Sequence, residues 1–163
     1  MPNKDNILIE MQKLSDAAPA GFALAFHIQY TRPTFLFQTY PAAWISEYSE
    51  KGMVMSDPTV HWGFENDGFK RWSDLADQDS IGVLTQAATY GLAFGVTCAY
   101  GRDESRSMCS FARTDREFTD DECVALLGCV QSLHDATLGL ETLDGPLLKA
   151  LQELGVIVSQ PGG

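Results

Sequence analysis

The sequence predicts an α+β fold, an α-β-α sandwich with one central antiparallel sheet and helices on both faces. Three observations predict it. Strand-like segments come in adjacent pairs joined by short polar turns, and segments with helical spacing lie before, between and after those pairs. The length, 163 residues, suits one domain, and such a chain buries roughly two-thirds of its unfolded surface, enough for a core and an internal cavity.

Each element has its own signal. Residues 6–14 place Ile7, Leu8, Met11 and Leu14 at helical spacing, and Ala18-Pro19-Ala20-Gly21 stops that helix. Residues 22–30 and 34–39 alternate and read as hairpin strands around a turn at Thr31-Arg32-Pro33. Pro41 opens a helix with Trp44, Ile45 and Tyr48 on one face, and Gly52 ends it. Asp57 followed by Pro58 is an N-cap and first-turn pair for a short helix that Gly63 and Gly68 are expected to interrupt. Residues 79–92 read as a helix with Ile81, Leu84, Ala88 and Leu92 inward. Residues 93–100 and 106–114 read as a second hairpin around a polar loop at residues 101–105. Thr119-Asp120-Asp121-Glu122 is a capping box that opens a long helix to about Leu140. Residues 146–154 form one more short helix, and Pro161-Gly162-Gly163 is expected to be disordered.

Composition narrows the function. The net charge is −11, from 22 acidic and 11 basic residues, which argues against nucleic acid as a partner, because phosphate binding needs clustered Lys and Arg. Cys98, Cys109, Cys123 and Cys129 form no CxxC pair and read as reduced, buried side chains of a cytoplasmic protein. The first residues lack the basic end and apolar run of a signal peptide, and no apolar stretch reaches the ~20 residues that span a bilayer. Catalysis is not expected. His27, His61 and His134 belong to no ligand cluster, and HExxH, GxSxG and phosphate-loop motifs are absent. Gly91 and Gly95 follow a helix, where a dinucleotide loop follows a strand. Neither a metal nor a cofactor is called for.

The informative feature is a set of polar-tipped aromatics around one acid. Tyr40, Trp44 and Tyr48 recur at intervals of four, followed by Asp57 and Trp72. Indole N–H and phenol O–H groups with an acceptor-only carboxylate suit a small ligand bearing carbonyls and one amide N–H, held between apolar walls. Each residue also has a plainer reading. Trp44, Tyr48 and Trp72 fit an ordinary core, Asp57 fits an N-cap, and Ser110 fits a tolerated polar strand position.

Taken together, Tyr40-Pro41 … Trp44 … Tyr48, then Gly52, Asp57-Pro58-Thr59-Val60 and Trp72 resemble the autoinducer-binding domain of LuxR-type quorum-sensing regulators. Gly95-Val96-Thr97 and Arg106-Ser107-Met108-Cys109-Ser110-Phe111 resemble that family's later strands, so the likeness runs from about residue 5 to 140. It implies a pocket between the sheet and the helices of one side, for an N-acyl-homoserine lactone. Trp44 is implied to donate to the lactone carbonyl, Asp57 to accept from the amide N–H, and Tyr40 to bond the amide carbonyl, with Ser110 assisting it or a water. Tyr48 and Trp72 are implied as walls and Thr59 as support for Asp57. Val60 and the aliphatic and aromatic residues between Phe22 and Phe37 are implied around the acyl tail. An Asp57 deprived of the ligand amide is expected to be a buried unpaired charge.

Two departures stand out. Ala99 sits where the family's GxTxP strand carries proline. Residues 1–142 are read as the autoinducer-binding domain and 143–163 as a short helix and tail, with no DNA-binding helix-turn-helix domain. Both a piece of a longer regulator and a sensor-only protein fit, and residues 154–163, unlike a helix-turn-helix opening, favour the second. The expected protein is a cytoplasmic sensor without membrane contact or direct nucleic-acid binding, a homodimer or a heterodimer with a LuxR-type regulator. The alternatives are a ligand-independent heterodimerising inhibitor of such a regulator and a receptor for a non-lactone signal.

Overall fold

The computed structural model describes residues 4–29, 32–102 and 104–160. Helix α1 (Lys4–Ala17) turns Ile7, Met11 and Leu14 inward, as their spacing requires. It leads into the hairpin of β1 (Gly21–Gln29) and β2 (Arg32–Gln38), whose register pairs Ala23 with Gln38 and Ala25 with Leu36. The expected turn includes Thr31, outside the described residues. Helix α2 (Ala42–Glu50) follows Pro41, and a 3-10 turn (Met53–Ser56) leads to α3 (Pro58–Glu65).

Next come β3 (Gly68–Arg71), a second 3-10 segment (Trp72–Gln78) and α4 (Val83–Ala88). Strands β4 (Phe94–Arg102) and β5 (Ser105–Arg113) precede α5 (Asp120–Thr137), α6 (Gly145–Glu153) and β6 (Ile157–Ser159). The strands form one sheet in the order β3-β4-β5-β1-β2-β6, with every pair antiparallel. This is the predicted α+β sandwich, with helices on both faces.

Several details differ from the sequence expectation. Gly63 does not interrupt α3. It sits inside the helix because a Cβ there would lie 2.7 Å from the Met108 sulfur, so it allows α3 to settle on the sheet. The helix expected over residues 79–92 shrinks to α4. The Asp79 carboxylate accepts the Val83 and Leu84 N–H groups, and Gly82 takes a left-handed φ of +77°, so the helix starts later than its apolar pattern suggests. Val83, Ala87 and Leu92 are therefore buried, while Ile81 is 55% exposed and Ala88 is exposed. Strands β3 and β6 have only four and three residues, too few for a periodic signal. The second hairpin is tighter than its polar loop suggests, and Asp103 lies outside the described residues. Residues 143–160 pack on the domain: Leu147, Leu151 and Val156 enter the core, and β6 covers the β2 edge. Residues 161–163, expected to be disordered, lie outside the described set.

Strand alternation divides the molecule. One sheet face carries Phe22, Leu24, Phe26, Phe35, Phe37, Val96, Cys98, Cys109 and Phe111 into the core beneath α1, α5 and α6. The cysteines are free, with Cys129 only partly buried. His27, with a φ of +57°, departs from strand geometry and turns to this helical side. There its Nε2–H donates to the His134 carbonyl at 3.0 Å and lies 2.9 Å from Thr137 Oγ1, and burial pushes its pKa down to about 4. It is a neutral tie between β1 and α5. Among the described residues no helix is long and apolar enough to cross a membrane.

Candidate ligand cavity

The opposite sheet face presents smaller side chains. Ala23 and Ala25 of β1 lie between larger neighbours, and α2, α3 and α4 bridge over them instead of filling the space. The result is a cavity of about 740 Å³, within the roughly 300–1,000 Å³ range of small-molecule sites. Tyr40, Trp44, Tyr48, Asp57, Thr59, Val60, Trp72 and Ser110 all line it.

Helix geometry places the first three. The Pro41 carbonyl accepts the Trp44 and Ile45 N–H groups and starts α2 immediately after Tyr40. One turn apart, Trp44 and Tyr48 meet edge-on with ring centroids 5.7 Å apart, and Tyr90 braces Trp44 from α4's side at 5.5 Å. Tyr48 is more than the wall expected from sequence: its hydroxyl donates to Asp57 Oδ2 at 2.8 Å.

Asp57 caps α3. Its Oδ1 accepts from the Thr59 N–H at 2.8 Å and the Thr59 hydroxyl at 2.7 Å. The carboxylate is thus not left unpaired without a ligand, contrary to the sequence expectation. A carboxylate offers about four acceptor positions. Three are taken, so one remains for a further donor. Burial pushes the Asp57 pKa up, opposed by the bonds from Thr59 and Tyr48. Tyr40 and Tyr48 are pushed up by burial and then by the Asp57 charge, so both stay protonated donors. The Tyr40 hydroxyl is buried and has no partner among the described residues.

Trp72 lies flat on β4. A Cβ on Gly95 would fall 2.0–2.3 Å from the indole ring atoms, so only glycine admits this packing. The indole N–H donates to Thr97 Oγ1 at 3.1 Å, and Thr97 Oγ1 lies 2.7 Å from Ser110 Oγ. Ala99, paired with both Gly68 and Met108, is interior to the sheet rather than at its edge.

One expectation fails in part. Phe22, Phe26, Phe35 and Phe37 do not line the cavity, because strand alternation sends them to the opposite core; Ala23, Ala25, Ile28 and Leu36 line it instead. Gln38, Thr97 and Met108 also line the cavity and were not singled out from sequence. The alternation Phe35-Leu36-Phe37-Gln38 was the available signal for Gln38. Among the described residues no cluster of His, Cys, Asp and Glu is placed to hold a metal.

Residues 20–137 match the family model described as "Autoinducer binding domain". The chain is 29% identical over 133 residues to the quorum-sensing regulator RhlR of Pseudomonas aeruginosa, an alignment covering 78% of this chain and 54% of RhlR. The chain thus spans about half the length of that relative. Among solved structures, Escherichia coli SdiA superposes with a TM-score of 0.64 at 24% identity, covering 86% of this chain and 63% of that one. A structure of SdiA in complex with octanoyl-rac-glycerol gives 0.65 at 20% identity, covering 90% and 67%. The N-acylhomoserine lactone dependent factor CepR2 of Burkholderia cenocepacia gives 0.55 at 16% identity, covering 90% and 98%. At these identities the structural likenesses show the fold.

Proposed function

Because this chain belongs to the autoinducer-binding domain family of LuxR-type quorum-sensing regulators, a family of ligand-binding domains and not of enzymes, we propose that it encloses an N-acyl-homoserine lactone. The observation that carries this reading is a matched set of unused polar capacity on one cavity. Tyr40 has an unpartnered hydroxyl, the Trp44 indole N–H has no partner among the described residues, and Asp57 keeps one free acceptor position. That set calls for a ligand with two carbonyls and one N–H.

In this reading Trp44 donates to the lactone carbonyl, Tyr40 donates to the amide carbonyl with help from Ser110, and Asp57 accepts the amide N–H. Thr59 and Tyr48 hold the carboxylate in place. Trp72 walls the head, and Val60, Ala25, Leu36 and Met108 surround the tail. Each head-group bond contributes about 0.5–1.5 kcal/mol net, more at the charged Asp57. Six buried methylenes contribute about 5 kcal/mol. The tail therefore supplies most of the affinity, and the head sets orientation. Signal binding in the cytoplasm would then regulate transcription through a LuxR-type regulator, attached or dimerised with the domain.

The octanoyl-rac-glycerol in the SdiA structure favours a second reading, an acyl ligand whose head is not a lactone. Mass spectrometry separates the two. Protein from cells fed a mixture of acyl-homoserine lactones is purified, unfolded and extracted. The lactone reading expects a lactone from wild type and none from folded Trp44→Phe. Recovery of an acyl glycerol in its place supports the second reading, and an empty wild-type protein counts against both.

A further inference from the structure

Helix α2 carries Trp44 but is lightly held, since Trp44 is its only buried residue. Two phenol–carboxylate bonds tie it to the neighbouring roof helices, and they run in opposite directions. Toward α3, the Tyr48 hydroxyl of α2 donates to Asp57 at 2.8 Å. Toward α4, the Glu47 carboxylate of α2 accepts the Tyr90 hydroxyl at 2.7 Å. Tyr90 stands on a fixed turn beyond α4. Its N–H and that of Leu92 both go to the Ala87 carbonyl, and Gly91 takes a left-handed φ of +87°. Neither Glu47 nor Tyr90 lines the cavity.

Both tyrosines also meet the Trp44 ring, Tyr48 at 5.7 Å and Tyr90 at 5.5 Å between centroids. Trp44 lines the cavity, and its indole N–H has no partner among the described residues. Trp72 differs: its N–H is bonded to Thr97 and its ring lies on Gly95. The direction of the Trp44 N–H is therefore set by packing alone, and a hydrogen bond weakens steeply as its angle closes toward about 120°. Glu47 follows Trp44 by one helical turn, so α2 itself presents both the indole and the carboxylate that holds its brace. The bond from Tyr90 holds the Glu47 carboxyl below the usual carboxylate range, and the Lys51 ammonium 3.4 Å away adds to this. Glu47 thus stays ionised, and a charged acceptor holds a phenol more firmly than a neutral one.

We propose that Tyr90 and Glu47 are positioning residues for ligand recognition: the phenol, held by the carboxylate, fixes the angle at which the Trp44 N–H meets a ring carbonyl. This rests on the lactone reading. Neither residue touches the ligand. The pair sets the strength of one bond and leaves the amide contacts at Asp57 and Tyr40, and the burial of the tail, as they are. Its effect is therefore selective. Losing the pair weakens ligands that have a ring carbonyl and spares those that lack one.

The test is calorimetric titration with two probes that share one acyl chain, the chain whose lactone raises the wild-type melting midpoint most. One probe is the N-acyl-homoserine lactone. The other is the N-acyl cyclopentylamine, which keeps the amide and a five-membered ring but has no ring carbonyl. Tyr90→Phe keeps the aromatic contact and loses the bond to Glu47. It is expected to bind the lactone about three- to tenfold more weakly. Its affinity for the cyclopentylamine is expected to stay within about twofold of wild type. Glu47→Ala is expected to match it, and Glu47→Gln, which keeps an acceptor for the phenol, to recover most of the loss. Equal weakening of both probes overturns the positioning role, because a pair that only stabilises the fold cannot tell the probes apart. A lactone affinity unchanged in Tyr90→Phe and Glu47→Ala overturns it as well. A folded wild-type protein that binds neither probe overturns the lactone reading itself.

Discussion

Asp57 does two things with one carboxylate: it starts α3, and it lines the cavity with one acceptor position not taken by Thr59 or Tyr48. Asp57→Ala removes the cap and leaves the Tyr48 and Thr59 hydroxyls without their acceptor. The expected loss is about 2–3 kcal/mol in urea unfolding of the ligand-free protein. The pH dependence has a definite sign. Burial raises the native pKa of Asp57 above its unfolded value, so the folded state holds the proton longer. The stability from this group is full below about pH 3.9 and is lost as pH rises through the native value. The stability of wild type relative to Asp57→Asn should therefore fall as pH rises above about 4. A gap that is constant or grows with pH contradicts this assignment.

At the scale of elements, β4 carries the most constrained contact. Trp72 sits flat where Gly95 has no side chain, and its N–H reaches Thr97 two residues along the same strand. Gly95→Ala is expected to displace the indole, break that bond and cost about 1–3 kcal/mol, with a shift in tryptophan emission. An unchanged urea midpoint and spectrum would refute the packing argument. Elements with their own local code were legible in the sequence: the Asp57-Pro58 cap, the Thr119–Glu122 capping box and the β1–β2 hairpin are all present. Elements defined by partners were not. β6 exists because the β2 edge accepts it, β3 because β4 does, and α4 is cut short by a side-chain cap inside what reads as one apolar pattern.

At the scale of the whole molecule, the cavity is the product of two sheet faces with different residues. Phenylalanines fill one side, while alanines on the other leave space that the helices span. The sequence motif brought Tyr40, Trp44, Asp57 and Trp72 to notice because their types and spacing are distinctive. Ala23 and Ala25 were silent because their role depends on strand register and on which face is roofed by α2 and α3. The Tyr48–Asp57 bond was hidden for a similar reason, since it joins two helices whose relative placement no local pattern records.

The central claim is that this cavity is completed by a lactone. A thermal melt with acyl-homoserine lactones from short to long chains tests it most directly. A ligand at 100 times its Kd adds about 2.7 kcal/mol, which for a chain of this size raises the midpoint by about 5–10 °C. Such a rise is expected for at least one chain length, and its loss is expected in Trp44→Phe. A midpoint unmoved by every chain length, or a Trp44→Phe variant that responds like wild type, would contradict it.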